Sequence, residues 1–234
     1  MEINADFDKR VVVHSASQEW LASPMPGVDR RPLDRIGEEV ARATTIVRYA
    51  PGSEFSPHVH TGGEEFLVLE GVFQDEHGDF PTGSYIRNPP QSKHKPGSEN
   101  GCVIFVKLWQ FDLDDRVQVR ARSDYIPQVP HRDQPGVSVT PLFQDTRETV
   151  TIQHWEEKAE VTQSFPGGVE LLVLDGSIRD GKDVLVKHSW LRLPAGATLN
   201  AVAGDKGARV WMKAGHLNYV QRDINNLNSH AAKR

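Results

Sequence analysis

Three histidines and one glutamate define the chemistry open to this chain. The stretch Gly52–Gly71, GSEFSPHVHTGGEEFLVLEG, holds His58, His60 and Glu64 within seven residues. Residues two apart on a strand leave the same face, so His58 and His60 can aim both imidazoles at one point. Thr61-Gly62-Gly63 follows and suits a tight turn, because glycine tolerates positive φ. Glu64 then opens the next strand and can swing back toward the rings. A turn shifted by one residue would present Glu65 in its place. His94, in RNPPQSKHKP, is the fourth candidate. Neutral imidazoles and a carboxylate suit one divalent transition metal, and zinc, iron(II), manganese and nickel all accept such donors. A lone His-x-His is weak, and its bland reading is a pair of exposed strand histidines. The His-x-His-x3-Glu spacing, the double glycine and the later histidine together make the pattern specific.

The elements that position these groups read as short strands. ATTIVRYA, EEFLVLEG, SYIRNPP and CVIFVKLWQF are apolar runs broken by Gly, Pro, Asp and Asn. Such spacing predicts a sandwich or barrel with little helix. QDEHGD (74–79) reads as a hairpin loop. The second half repeats the first. GGEEFLVLEG (62–71) aligns with GGVELLVLDG (167–176), YIRNPP (85–90) with WLRLPA (190–195), and GCVIFVK (101–107) with GARVWMK (207–213). A nearly constant offset over three segments predicts two copies of one fold. The expected order is an N-terminal extension packing on the barrels (1–43), a metal-binding barrel (44–115) and a linker (116–135). A metal-free barrel (136–220) and a frayed polar tail (221–234) complete it.

Within EEFLVLEG, Glu64, Phe66 and Val68 share one face, and Glu65, Leu67 and Leu69 share the other. A strand apolar on both faces is covered on both. Phe66 and Val68 are therefore expected to wall the metal pocket, the bland alternative being ordinary core. Tyr85, Arg87 and Cys102 are further pocket-lining candidates. Cys102 reads first as a small buried hydrophobe. At the shared offset, Gln163 stands for His58, Phe165 for His60, Val169 for Glu64 and Leu199 for His94, so all four candidate ligands are missing from the second copy.

The chain has 234 residues, a formal charge of −5, 38% hydrophobic and 25% charged residues. This balance suits a globular protein and not a disordered one. No basic cluster favours nucleic acid, and no apolar run approaches the roughly 20 residues of a membrane helix. One cysteine excludes an intramolecular disulfide and Cys-rich zinc sites. No signal peptide is apparent, and the expected setting is cytoplasmic.

Gly52-x5-His58-x-His60-x3-Glu64-x6-Gly71 resembles the first motif of the cupins, and Gly83-x5-Pro89-x-Gln91-x2-His94 resembles the second. The family usually has glycine where Gln91 stands and asparagine where Ser98 stands. TTIVRYAPGSEF, HTGGEEFLVLEGVF and YIRNPP are similar to the cupin domain of ChrR-type proteins; the acetylacetone-cleaving dioxygenase is a more distant relative. The resemblance implies two tandem jelly-roll barrels, a bicupin, with the metal on His58, His60, Glu64 and His94. It implies either dioxygenase-like chemistry on a small dicarbonyl or enolisable substrate, or a sensory cupin with structural zinc and no turnover. A small-molecule ligand and a homodimer are expected. A sigma-factor partner is not, because the His/Cys zinc module that binds it is missing from these residues.

Overall fold

The computed structural model describes residues 1–38 and 40–232. The chain divides into two compact units. The first comprises Met1–Ala5, Glu19–Arg122 and the C-terminal segment from Gln221; the second comprises Asp6–Gln18 and Ser123–Val220. These bounds differ from the expected ones at both ends of the chain. Residues 1–43 are no separate extension. Val28–Gly37 pairs along Ala41–Tyr49 in the first unit, while Val11–His14 pairs with Ser189–Leu193 in the second. The expected frayed tail is instead a helix, Val220–Ala231. Val220, Asp223 and Leu227 are buried at helical spacing, and Asp223 lies 3.9 Å from Arg42.

The all-β expectation holds, since strands dominate and the described residues contain one α-helix. In the first unit the sheet runs Val28–Gly37, Ala41–Tyr49, Cys102–Leu108, Glu64–Asp75, Ser84–Asn88, Val119–Arg122, every pair antiparallel. The second unit repeats this order with Val137–Gln144, Thr149–Trp155, Ala197–Ala214, Val169–Asp180, Ser189–Leu193 and Val11–His14. The sequence offset is therefore a repeat of topology as well.

Register fixes which residues share a face, because directly opposed residues in an antiparallel pair project together. Glu64 opposes Leu108 and Asn88; Phe66 opposes Val106 and Ile86; Val68 opposes Ile104. These rows make the inner face, and its core gathers Val47, Phe66, Val68, Phe73, Ile104 and Val106. The opposite face carries Glu65, Leu67, Tyr85 and Arg87, also buried. The strand is covered on both faces, as its double apolar pattern requires.

Candidate metal centre

His58–His60 is a three-residue strand paired antiparallel with Ser92–His94. His94 lies directly opposite His58, and His60 opposite Ser92. Two-residue periodicity and this register put all three imidazoles on one face. Their candidate ligand nitrogens lie within 4.8 Å of one another. Among the described residues this is the one group of three or more His, Cys, Asp or Glu gathered in this way.

The turn after His60 depends on its glycines. Gly63 has φ +80°, and its amide donates to the His60 carbonyl at 3.2 Å. A Cβ on Gly62 would stand 2.0 Å from Trp109 Cδ2, and one on Gly63 2.5 Å from Phe111 Cδ2. The glycines thus let the Trp109–Phe111 segment close over the turn. Gln91, where the family pattern has glycine, adopts φ +72° and donates its amide to the same His60 carbonyl at 2.9 Å. The departure keeps the loop in its turn at the cost of a left-handed backbone on a branched-chain-free polar residue.

Glu64, not Glu65, faces the histidines. Its Oε2 lies 3.4 Å from His60 Nε2 and 3.6 Å from His94 Nε2. Donor atoms each about 2.0–2.2 Å from one ion have separations of this order. Glu65 points to the opposite face and accepts from the Tyr85 hydroxyl at 2.6 Å. The side-chain amide of Asn88 donates to Glu64 Oε2 at 3.1 Å. Burial pushes the Glu64 carboxyl up, but His60, His94 and the Asn88 hydrogen bond outweigh it and hold the group below its ordinary range. His94 Nδ1 lies 3.2 Å from Asp75 Oδ2, which fixes the ring and leaves Nε2 turned to Glu64. Burial lowers His94's proton affinity, yet Asp75 and Glu64 raise it on balance. His60 is shifted down by burial, and its buried Nε2 has no hydrogen-bond partner. An orphaned imidazole nitrogen beside an ionised carboxylate and two more imidazoles fits a divalent cation by geometry and by donor type.

A cavity of about 310 Å³ adjoins the centre, bounded by His58, His60, Glu64, Tyr49 and Trp109 among others. The expected pocket wall is corrected here. Phe66, Val68 and Cys102 lie on the inner face in the apolar core and are not among the residues that line the cavity. Burial pushes the Cys102 thiol up to about 11, partly offset by Ser98, so it stays protonated. Tyr85 and Arg87 oppose Leu67 and Glu65, on the face turned away. Arg87 instead binds Asp115 at 2.6 Å. Four contributors escaped the sequence reading: Asp75, Asn88, and two arginines of the cavity wall, Arg30 and Arg35. Asp75 sits where a hairpin was expected, and nothing in that loop marks it as a histidine partner.

In the second unit Gln163 lies opposite Leu199, as His58 lies opposite His94. Phe165, Val169 and Leu199 are buried in one apolar cluster.

Residues 8–112 match the family model described as ChrR Cupin-like domain. No curated protein matches the chain. Among solved structures, it is similar to a candidate dioxygenase from Nostoc punctiforme, with 16% identity, TM-score 0.71, and 88% of this chain and 82% of that one covered. The bacterial pirin YhhW of Escherichia coli, in complex with nickel(II), aligns at 11% identity and TM-score 0.61, over 88% of this chain and 98% of that one. A quercetin 2,3-dioxygenase from Acinetobacter baumannii aligns at 14% identity and TM-score 0.53, over 80% and 78%. Identities this low speak for the fold alone.

Proposed function

The chain belongs to the cupin superfamily, with a ChrR cupin-like domain over residues 8–112, and on that premise we propose that it is a bicupin with one mononuclear divalent-metal site. His58, His60, His94 and Glu64 would hold the ion, and the second copy would have none. The orphaned, buried His60 Nε2 beside Glu64 carries this reading. A divalent ion there would supply a Lewis acid for substrate oxygens.

The reaction class we propose is dioxygenase-like oxidation of a small enolisable dicarbonyl compound. The protein's own groups have definable parts in it. Glu64 is held ionised and borders the cavity, so its carboxylate is placed to take the acidic C–H proton of such a substrate. Asn88 keeps that carboxylate in position. Asp75 fixes the His94 tautomer. Val47, Ile104, Val106 and Leu108 line the cavity with apolar surface that excludes water. Elemental analysis of anaerobically purified protein, followed by oxygen uptake with a diketone panel, tests the proposal. One equivalent of iron(II) or a similar ion with substrate-dependent uptake is expected. Uptake indistinguishable from buffer would refute the enzymatic reading.

A second reading is a sensory cupin with structural zinc. The ChrR-type match favours it, as does a set of four protein donors, which saturates tetrahedral zinc and leaves no open position. Tightly held stoichiometric zinc without oxygen uptake is its signature.

A further inference from the structure

The cavity beside the histidines carries two guanidinium groups that the metal reading does not use. Arg30 and Arg35 both line it. Register places them on the inner face. Arg35 opposes Ala43, Ala43 opposes Leu108, and Leu108 opposes Glu64, so these four form one cross-strand row. Arg30 opposes Val47, which opposes Ile104. Three strand spacings, roughly 14 Å along the sheet, separate the backbones of Arg35 and Glu64. The side chains between them are short or apolar.

No carboxylate neutralises Arg30, whereas Arg35 feels that of Glu38. Arg35 donates to the backbone carbonyl of Glu38. Arg30 has no hydrogen-bond or ion-pair partner among the described residues. Glu64 is the one carboxylate that lines the cavity among the described residues. Two cations against one anion leave the cavity positive before any metal is counted. Burial weakens the hold of both guanidinium groups on their protons; at Arg35 the charge of Arg30 adds to this and Glu38 opposes it without cancelling it. A half-buried charge without a counter-ion is costly, and a ligand that brings the counter-ion recovers that cost. Guanidinium matches a carboxylate in a two-pronged geometry. A volume of about 310 Å³ admits a small molecule only.

We propose that this cavity selects a small organic acid, its carboxylate held by Arg30 with Arg35 nearby and its keto or enol oxygen turned toward His58, His60 and Glu64. The apolar walls of Val47, Ile104 and Val106 favour a carbon skeleton between the two ends over a bare inorganic anion. The proposal deepens the reading given above and rests on it only for the histidine end of the ligand.

The test compares acids with their neutral ketone isosteres by titration calorimetry: acetoacetate with acetylacetone, and pyruvate with butane-2,3-dione. Metal-loaded and chelator-stripped protein are both titrated, with metal content measured on each sample. Wild type should prefer each acid by roughly tenfold or more, the scale of one charge-assisted hydrogen-bonded pair. Arg30→Gln should erase that preference while leaving diketone affinity, metal content and melting temperature near wild type. Arg30→Lys should restore part of it. Inorganic phosphate should not displace acetoacetate. Equal affinity for acid and ketone, no binding of either acid, an unchanged Arg30→Gln, or displacement by phosphate at comparable concentration would each overturn the proposal. Should Arg30→Gln fail to fold, the wild-type comparison and Arg30→Lys decide. Acid preference in protein that binds no metal would separate failure of the metal reading from failure of this one.

Discussion

His60 and Phe165 hold equivalent places in the two copies, so truncating each to alanine separates the chemistry of one unit from the packing of the other. Phe165 is 4% exposed and packs in a cluster with Val169 and Leu199. Removing such a ring costs about 3–5 kcal/mol. At about 4 °C per kcal/mol for a unit of this size, the second unit should melt roughly 10–20 °C lower. His60 is also buried, but its Nε2 makes no hydrogen bond, so truncation deletes a polar atom that the metal-free fold leaves unsatisfied. Its cost should appear in the metal-loaded protein. An ion at a hundredfold excess over its Kd contributes about 2.7 kcal/mol, roughly 10 °C in the first unit. Differential scanning calorimetry with and without chelator, joined to elemental analysis, reads both effects. Wild type should show a chelator-sensitive transition and a chelator-insensitive one. His60→Ala should lose the chelator response and most bound metal. Phe165→Ala should keep both and lower the other transition. A chelator response that survives His60→Ala, or metal lost from Phe165→Ala, would refute the assignment of the site to the first copy.

Two further outcomes follow from the geometry. Asp75→Asn should destabilise the metal-free protein more near about pH 5.5 than near about pH 8.5. Burial lowers His94's proton affinity, but Asp75 and Glu64 raise it above the ordinary 6.5 on balance. That contribution is therefore complete below the unfolded value and is lost as pH rises through the folded one; a penalty of about 1–2 kcal/mol at the acid end, measured by urea unfolding, is expected, and a pH-independent penalty would contradict the pairing. Gly62→Ala would put a Cβ 2.0 Å from Trp109 Cδ2, an overpacking worth about 1–3 kcal/mol. It should shift tryptophan emission and reduce bound metal, whereas Gly52→Ala, with φ +73° but nothing within 4 Å of its Cβ, should cost backbone strain alone and leave emission and metal unchanged.

The sequence was most readable where chemistry follows from spacing within one strand or one turn. His58, His60 and Glu64 depend on a two-residue period and a glycine turn, and the structure gathers them as that local logic requires. The duplication was equally plain, because Glu64–Asp75 and Val169–Asp180 keep the same offset in residues and in pairing. Legibility failed where the answer lies in pairing between strands. Val28–Gly37, VDRRPLDRIG, looks like charged surface, and only its register along Ala41–Tyr49 shows Arg30 and Arg35 turned inward. A register shift between Pro32 and Asp34 hides the alternation further. Tyr85 and Arg87 were misplaced for the same reason. Parity within Ser84–Asn88 is clear, but which parity shares a face with Glu64 is set by the partner strand. The C-terminal helix was missed because RDINNLN is polar and a weak helix former, while its buried Asp223 faces Arg42, far away in sequence.

The two copies also show how little of this donor set resides in the backbone. Gln163 and Leu199 meet in the register that His58 and His94 use, and Phe165 takes the place of His60 after the same two-residue step. The second unit has not simply filled its interior. A cavity of about 530 Å³ still opens beside Gln163 and Phe165. Strand order, register and an accessible hollow therefore persist where the positions equivalent to His58, His60, Glu64 and His94 carry no imidazole or carboxylate. What separates the copies is then donor chemistry on a shared frame. In the first, the frame sets three imidazoles against Glu64 with Asp75 and Asn88 as supports, and sets Arg30 and Arg35 across the hollow from them. A carboxylate ligand reaching from one set to the other would engage both, whereas Phe165, Val169 and Leu199 offer apolar surface at the equivalent of the histidine end.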